Sequence, residues 1–210
     1  MPQIAADRRS YKIELRSITG ENGQRRIEGH AAVFNSLSEE IWGFREIIKP
    51  GAFANAIVKS DVRALWNHNP DYVLGRTKAK TLTIAEDDRG LAVNIIPPDT
   101  QFARDLMTSM DRGDIDQMSF AFTVKNERWY TVEENGESFT IREITEVGEL
   151  FDVSPVTYPA YKDTDVSART KEALKEYRDA AGAGGPDNNN AEFEYRKREL
   201  DILDAELIGG

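Results

Sequence analysis

Short alternating apolar segments joined by turn-forming residues predict a mainly β protein with flanking helices, an α+β fold built on a mostly antiparallel sheet or barrel. Three observations point there. In MSFAFTV, apolar residues alternate with small or polar ones at the period of two that a strand imposes. Turn signals at ENGQ, EDDRG and ENGE separate β-prone runs, which favours hairpins over the helical crossovers of a parallel doubly wound fold. Helical spacing is confined to AFANAIVKS, QFARDLMTSMDRG and the polar C-terminal stretch. At 210 residues and 40% hydrophobic, the chain can bury one sizeable core and is too short for two large ones.

Taken in order, residues 10 to 34 read as a hairpin, with YKIELRSI and RRIEGHAAVF as strands and Asn22-Gly23 in the turn. IWGFREII ends at Lys49-Pro50-Gly51, and AFANAIVKS comes next as a short helix with Ala52, Phe53, Ala56 and Ile57 on one side. VRALWNHNP is a strand running into a proline-terminated turn, and TLTIAEDDRGLAVNIIPP is a second hairpin stopped by two prolines. QFARDLMTSMDRG has Phe102, Leu106 and Met110 on one helical stripe, with Gly113 as its stop. From Asp116 to Ala160 the pattern is a run of strands, with turns expected at Glu134 to Gly136 and around Gly148. Beyond Ala160, KEALKEYRDA reads as helix, AGAGGPDNNN as a flexible linker and AEFEYRKRELDILDAELIGG as helix again. The expected organisation is one folded domain over 1–165 and a helical, linker-containing tail over 166–210. With six basic and ten acidic side chains among residues 171–210, the tail is too polar to build its own core and reads as a tether or docking element.

A net charge of −10 without a dense Lys/Arg cluster argues against nucleic acid as a ligand, since phosphate binding needs a basic groove that releases counterions. The absence of cysteine removes disulfides, thiolate metal sites and cysteine nucleophiles, and fits a reducing compartment. No apolar run reaches signal-peptide or membrane-spanning length, so a soluble cytoplasmic protein without a membrane partner is expected. Chemistry is left to Ser, Thr, His, Lys and carboxylates.

Ser119 falls with Gln117, Ala121 and Thr123 on the strand face opposite Met118, Phe120, Phe122 and Val124. It is either an accessible nucleophile held on a rigid strand or an ordinary solvent-facing serine. The two histidines are His30, mid-strand in EGHAAVF, and His68, at a strand-to-turn junction that can hold an imidazole at the edge of a site. A serine hydroxyl attacks only when a base takes its proton, a task suited to neutral imidazole, and the imidazole gains from an acid that fixes its tautomer. Asp152, placed among apolar residues in ELFDVSPV, is the first candidate acid. Glu149 is the second and Glu146 the third. An edge-strand charge that blocks sheet association explains Asp152 equally well.

Five segments, GHAAVFN, FREIIKPGAFANAI, ALWNHNPDYVLGRT, QMSFAFTV and LFDVSPVTYPAY, occur in order over roughly residues 10 to 165. Together they resemble the prohead proteases of tailed bacteriophages, which are similar in fold to the herpesvirus assemblin proteases. The resemblance implies an assemblin-like barrel and a serine endopeptidase with chain order His, Ser, third residue. It thereby selects His68 over His30, Ser119 as nucleophile, and Asp152 as third member with Glu149 as the alternative. The family usually carries glutamate at the Asp152 position and the herpesvirus enzymes a histidine. The arginine-bearing loop that serves the oxyanion in the latter reads VTYPAYKD here, without arginine.

The implied partners are the major capsid protein with its scaffolding segment, any separate scaffold, and the chain itself through autoprocessing. The implied location is the interior of the procapsid in the host cytoplasm. No cofactor and no metal are expected, and a homodimer is possible by analogy with the herpesvirus enzymes. The main alternative from another class is a non-catalytic capsid assembly or scaffolding protein that keeps the protease fold. A metal-dependent hydrolase built on His68 and carboxylates is a third reading, disfavoured by two histidines without HExxH-like spacing.

Overall fold

The computed structural model describes residues 6–12, 15–20, 23–134, 137–158 and 167–184. The strands are β1 (Asp7–Lys12), β2 (Arg16–Thr19), β3 (Arg25–Val33), β4 (Phe44–Ile48), β5 (Arg63–Trp66), β6 (Asn69–Arg76), β7 (Leu82–Glu86), β8 (Gly90–Ile95), β9 (Gln117–Glu134) and β10 (Glu137–Val156). The helices are α1 (Ala54–Lys59), α2 (Gln101–Asp111) and α3 (Ala168–Gly184). The protein is therefore mainly β with a few helices, as the alternation implied.

The larger sheet runs β1-β9-β10-β5-β6, with β4 also paired to β10, and the smaller runs β2-β3-β8-β7. All pairings are antiparallel except those of β10 with β4 and β5. Those parallel contacts arise because β10, at 20 residues, offers one edge to β4 along 140–144 and then to β5 at 152–153. The expected barrel does not close. Among the described residues β1 and β6 end one sheet, β2 and β7 end the other, and no ladder joins these edges. Apolar surface is instead buried in a core shared by both sheets and two helices. Ile27, Leu91 and Ile95 come from the smaller sheet, Phe120, Phe122, Leu150 and Val153 from the larger, Phe53 from the start of α1 and Leu106 from α2.

Three local expectations change, and a fourth stands at the residue described. YKIELRSI is divided between β1, which pairs β9, and β2, which pairs β3, so each half joins a different sheet. Of the expected Asn22-Gly23 turn, Gly23 has the left-handed φ of 76° that a turn requires, while Asn22 lies outside the described residues. Gly148 does not end a strand. It is the extra residue where the ladder steps from Val147↔Val124 to Glu149↔Thr123, a bulge inside β10. Pro70 likewise does not stop the chain, because an edge strand tolerates a missing N–H donor, and β6 continues to Arg76.

Helix α3 runs into the AGAG stretch expected as linker, ending at Gly184. Its packing explains its persistence: Leu174 buries against Phe44, Tyr177 stacks on Trp129 at 6.3 Å, and the Tyr177 hydroxyl is 2.8 Å from Thr131 Oγ1. The further helix expected over 191–210 lies outside the described residues.

A charged network beneath α3 joins four strands. Arg142, 1% exposed, donates to Glu127 at 2.6 Å, to Glu46 at 3.0 Å and to Asp7 at 3.2 Å. Arg9 grips Glu46 with Nε at 2.8 Å and Nη2 at 3.0 Å. Asp7 also accepts from the Ser167 backbone N–H at 2.7 Å and the Thr170 hydroxyl at 2.8 Å, which fastens the start of α3 to β1. Burial pushes the Asp7 carboxyl up, but Arg9, Arg142 and these two hydrogen bonds together hold it below its ordinary value. Removing one member strands the others without water, so Glu46→Ala is expected to lower stability by about 3–5 kcal/mol in urea unfolding. A lowered folded pKa contributes stability that is present above the unfolded carboxylate value of about 4 and is lost as pH falls through the folded value. The stability advantage of the wild type over Asp7→Asn therefore shrinks on acidification below about pH 4, measurable by urea titrations across that range.

Candidate active site

The hairpin between β5 and β6 pairs Trp66 with Asn69, leaving Asn67 and His68 as its two central residues. Both adopt left-handed backbone, φ 55° and 56°, as a type I′ hairpin turn requires. Asn and His accept this region more readily than most side chains, so the dipeptide suits the turn. The turn places the His68 imidazole beside β9 and β10. Its Nε2 lies 2.7 Å from Ser119 Oγ and its Nδ1 2.6 Å from Asp152 Oδ1. Asp152 Oδ1 also accepts from the Ser154 hydroxyl at 2.7 Å, and Ser154 is fully buried.

Strand register decides which acid reaches the imidazole. Leu150 pairs with Phe122, but Asp152 pairs with Ala121 and Ser154 with Ser119. The intervening Phe151 is a bulge. In an unbroken strand Leu150 and Asp152 would share a face; the extra residue turns Asp152 onto the Ser119 side while Leu150 and Val153 stay in the core. Glu149 pairs with Thr123, four residues along β9 from Ser119 and so about 13 Å away along the strand. It is exposed and is not brought to His68. Glu146 binds Lys125 at 2.7 Å, Asn126 at 2.6 Å and Asn55 at 3.0 Å. His30 sits in β3 with its Nε2 2.8 Å from Asp87 Oδ2, in a cluster separate from Ser119.

Ser119 departs from expectation in one respect. The sequence pattern implied an accessible hydroxyl, whereas the residue is 1% exposed, flanked by β1 and β10 and covered on the side where His68 reaches it. The His68 and Asp152 side chains are 14% and 12% exposed, so the cluster meets solvent at these two residues more than at Ser119.

Chemically, an imidazole nitrogen within hydrogen-bond reach of a hydroxyl can take its proton during attack, and a carboxylate on the other nitrogen selects the required tautomer and stabilises the imidazolium. Two participants were not singled out from the sequence. Ser154 lies two residues beyond Asp152 and so shares its strand face. Asn67 precedes His68 in a dipeptide suited to the left-handed turn. Both signals are local, yet each gains meaning only once the bulge and the hairpin are known.

The family model described as caudovirus prohead serine protease matches residues 11–178. The chain belongs to this family. The match spans His68, Ser119 and Asp152 and extends through most of α3, in agreement with the five-segment resemblance. Among solved structures, the capsid assembly protease of bacteriophage T4 is similar over 71% of this chain and 98% of its own, with a TM-score of 0.40 and 11% identity. No curated protein matches the chain. No helix among the described residues is long and apolar enough to cross a membrane.

Ser154→Ala removes a fully buried hydrogen bond to a carboxylate and is expected to lower stability by about 1.5–3 kcal/mol in urea unfolding. Ser154→Thr, which keeps the hydroxyl, is expected to recover part of that loss.

Proposed function

We propose that this member of the prohead protease family is a serine endopeptidase in which Ser119 is the nucleophile, His68 the general base and Asp152 the group that orients His68. The bridging of Ser119 and Asp152 by the two nitrogens of His68, at 2.7 and 2.6 Å, carries the proposal. Ser119 Oγ forms a bond to the scissile carbonyl carbon as His68 Nε2 takes the hydroxyl proton. The tetrahedral adduct collapses to a Ser119 ester, and the same proton passes from His68 to the departing amine nitrogen. Water then attacks the ester in the same way, losing a proton to His68, and hydrolysis regenerates Ser119.

The proposed substrates are the scaffolding segment of the major capsid protein, any separate scaffold, and the chain itself, inside the procapsid. Self-association as a homodimer and kinship with the herpesvirus assemblin fold belong to the same proposal. We further propose residues 1–165 as the catalytic unit and 166–210 as an appended docking or self-cleaved tail. Because α3 rests on the body through Leu174 and Tyr177, residues 185–210 are the favoured part of the tail for that role.

Incubating the purified chain with capsid precursor and reading the fragments by mass spectrometry tests the assignment. Ser119→Ala and His68→Ala are expected to abolish cleavage, and Asp152→Asn to slow it by about 10³–10⁴-fold. Glu149→Gln is expected to leave the rate within about twofold, because the bulge keeps that carboxylate away from His68. A chelator is expected to change nothing. Undiminished cleavage by Ser119→Ala overturns the nucleophile, and a wild type that co-assembles with precursor without cutting it favours the assembly-protein alternative.

A further inference from the structure

The His68 turn is the most conformationally demanding part of the site, with two successive residues at left-handed φ. Pairing with Asn69 alone leaves such a hairpin tip free to rock about its strands. Besides the bonds of the His68 ring itself, three contacts tie it down, and all run from Asn67 to the end of β10 and the residue after it. The Asn67 backbone N–H donates to Pro155 O at 3.0 Å. The Thr157 backbone N–H donates to Asn67 Oδ1 at 2.8 Å, and Asn67 Nδ2 donates to Thr157 Oγ1 at 3.2 Å. The side-chain pair closes a two-point clamp between the residue before the imidazole and the strand that carries Asp152 and Ser154.

From this geometry we infer that Asn67 is a positioning residue, which uses Thr157 to hold the His68 imidazole in register with Ser119 and Asp152. The inference rests on the peptidase reading and deepens it. Asn67 and Thr157 are exposed, so their bonds replace bonds to water and add little to global stability. Their effect falls on imidazole placement, where a shift of about 1 Å lowers reactivity by as much as about 100-fold. Asparagine also meets both demands of the position: it tolerates the left-handed turn, and its amide presents an acceptor and a donor to one threonine.

The test compares the full chain with Asn67→Gly, which keeps the turn and deletes the clamp, and Asn67→Asp, which keeps the turn and the acceptor facing the Thr157 N–H. A fluorophosphonate probe reads Ser119 reactivity without a peptide substrate. Proton NMR reads the low-field Nδ1–H signal of His68, with His30 as internal reference. Asn67→Gly is expected to slow labelling by about 10- to 100-fold and to weaken the His68 signal at an unchanged melting temperature, with His30 unaffected. Asn67→Asp is expected to restore labelling to within a few-fold of wild type. Labelling and a His68 signal equal to wild type in Asn67→Gly overturn the inference, as does an equal loss in Asn67→Asp. If the wild type itself is not labelled, the peptidase reading fails. The His68 signal then judges the clamp alone: weakening in Asn67→Gly supports it, and no change overturns it.

Discussion

Cross-strand register between β9 and β10 sets Ser119 opposite Ser154 and Ala121 opposite Asp152, and every other feature of the site is referred to that ladder. Backbone hydrogen bonds along 18- and 20-residue strands make the register stiff, and a slip of one residue would turn every side chain to the other face. The bulge at Phe151 is the point where this stiffness is used. Without it, Asp152 would enter the core beside Leu150, where an ionised carboxylate lacks solvation and partners. With it, the carboxylate emerges beside a hydroxyl on its own strand and an imidazole from the neighbouring hairpin.

His68 reaches the ladder from outside it. Strand β5 pairs in parallel with β10 only at Asp152 and Val153, so the hairpin tip projects past the paired residues of that ladder and meets β10 again through Asn67. Its position therefore depends on the turn conformation and on contacts to the end of β10. The three groups thus come from two different kinds of support: the β9–β10 ladder for Ser119 and Asp152, and a short left-handed turn for His68. The buried Asp7–Arg9–Glu46–Arg142–Glu127 network occupies another part of the same sheet, linking β1, β4, β9 and β10 and anchoring α3. It braces the strand that flanks Ser119, since β1 pairs Ser10 with Ser119.

Much of this was legible along the chain. Period-two alternation located β9 and assigned Phe120 and Phe122 to the core and Ser119 to the other face. Helical spacing located α1 and α2. The same rules failed where one residue changed the phase. Gly148, read as a turn, is a bulge, because a glycine inside a strand signals either and only the partner strand distinguishes them. Pro70, read as a stop, lies on an edge strand, and edge position is a property of the sheet. Ser119 was expected to be open to solvent, yet β1 and the His68 hairpin cover it, and both approach from segments remote in sequence.

Composition and local pattern determined that the chain is mainly β, lacks thiol chemistry, and carries a serine on a rigid strand, because these depend only on residue type and near neighbours. The five segments that resemble the prohead proteases pointed to His68 and Ser119 and placed Asp152 ahead of Glu149 without settling between them. Only the tertiary structure decided that Asp152 rather than Glu149 meets the imidazole and that the sheets pack without closing a barrel. Both outcomes stem from register and edge pairing between strands far apart in the chain, and long-range hydrogen-bond partners leave no mark in the order of residues along one strand.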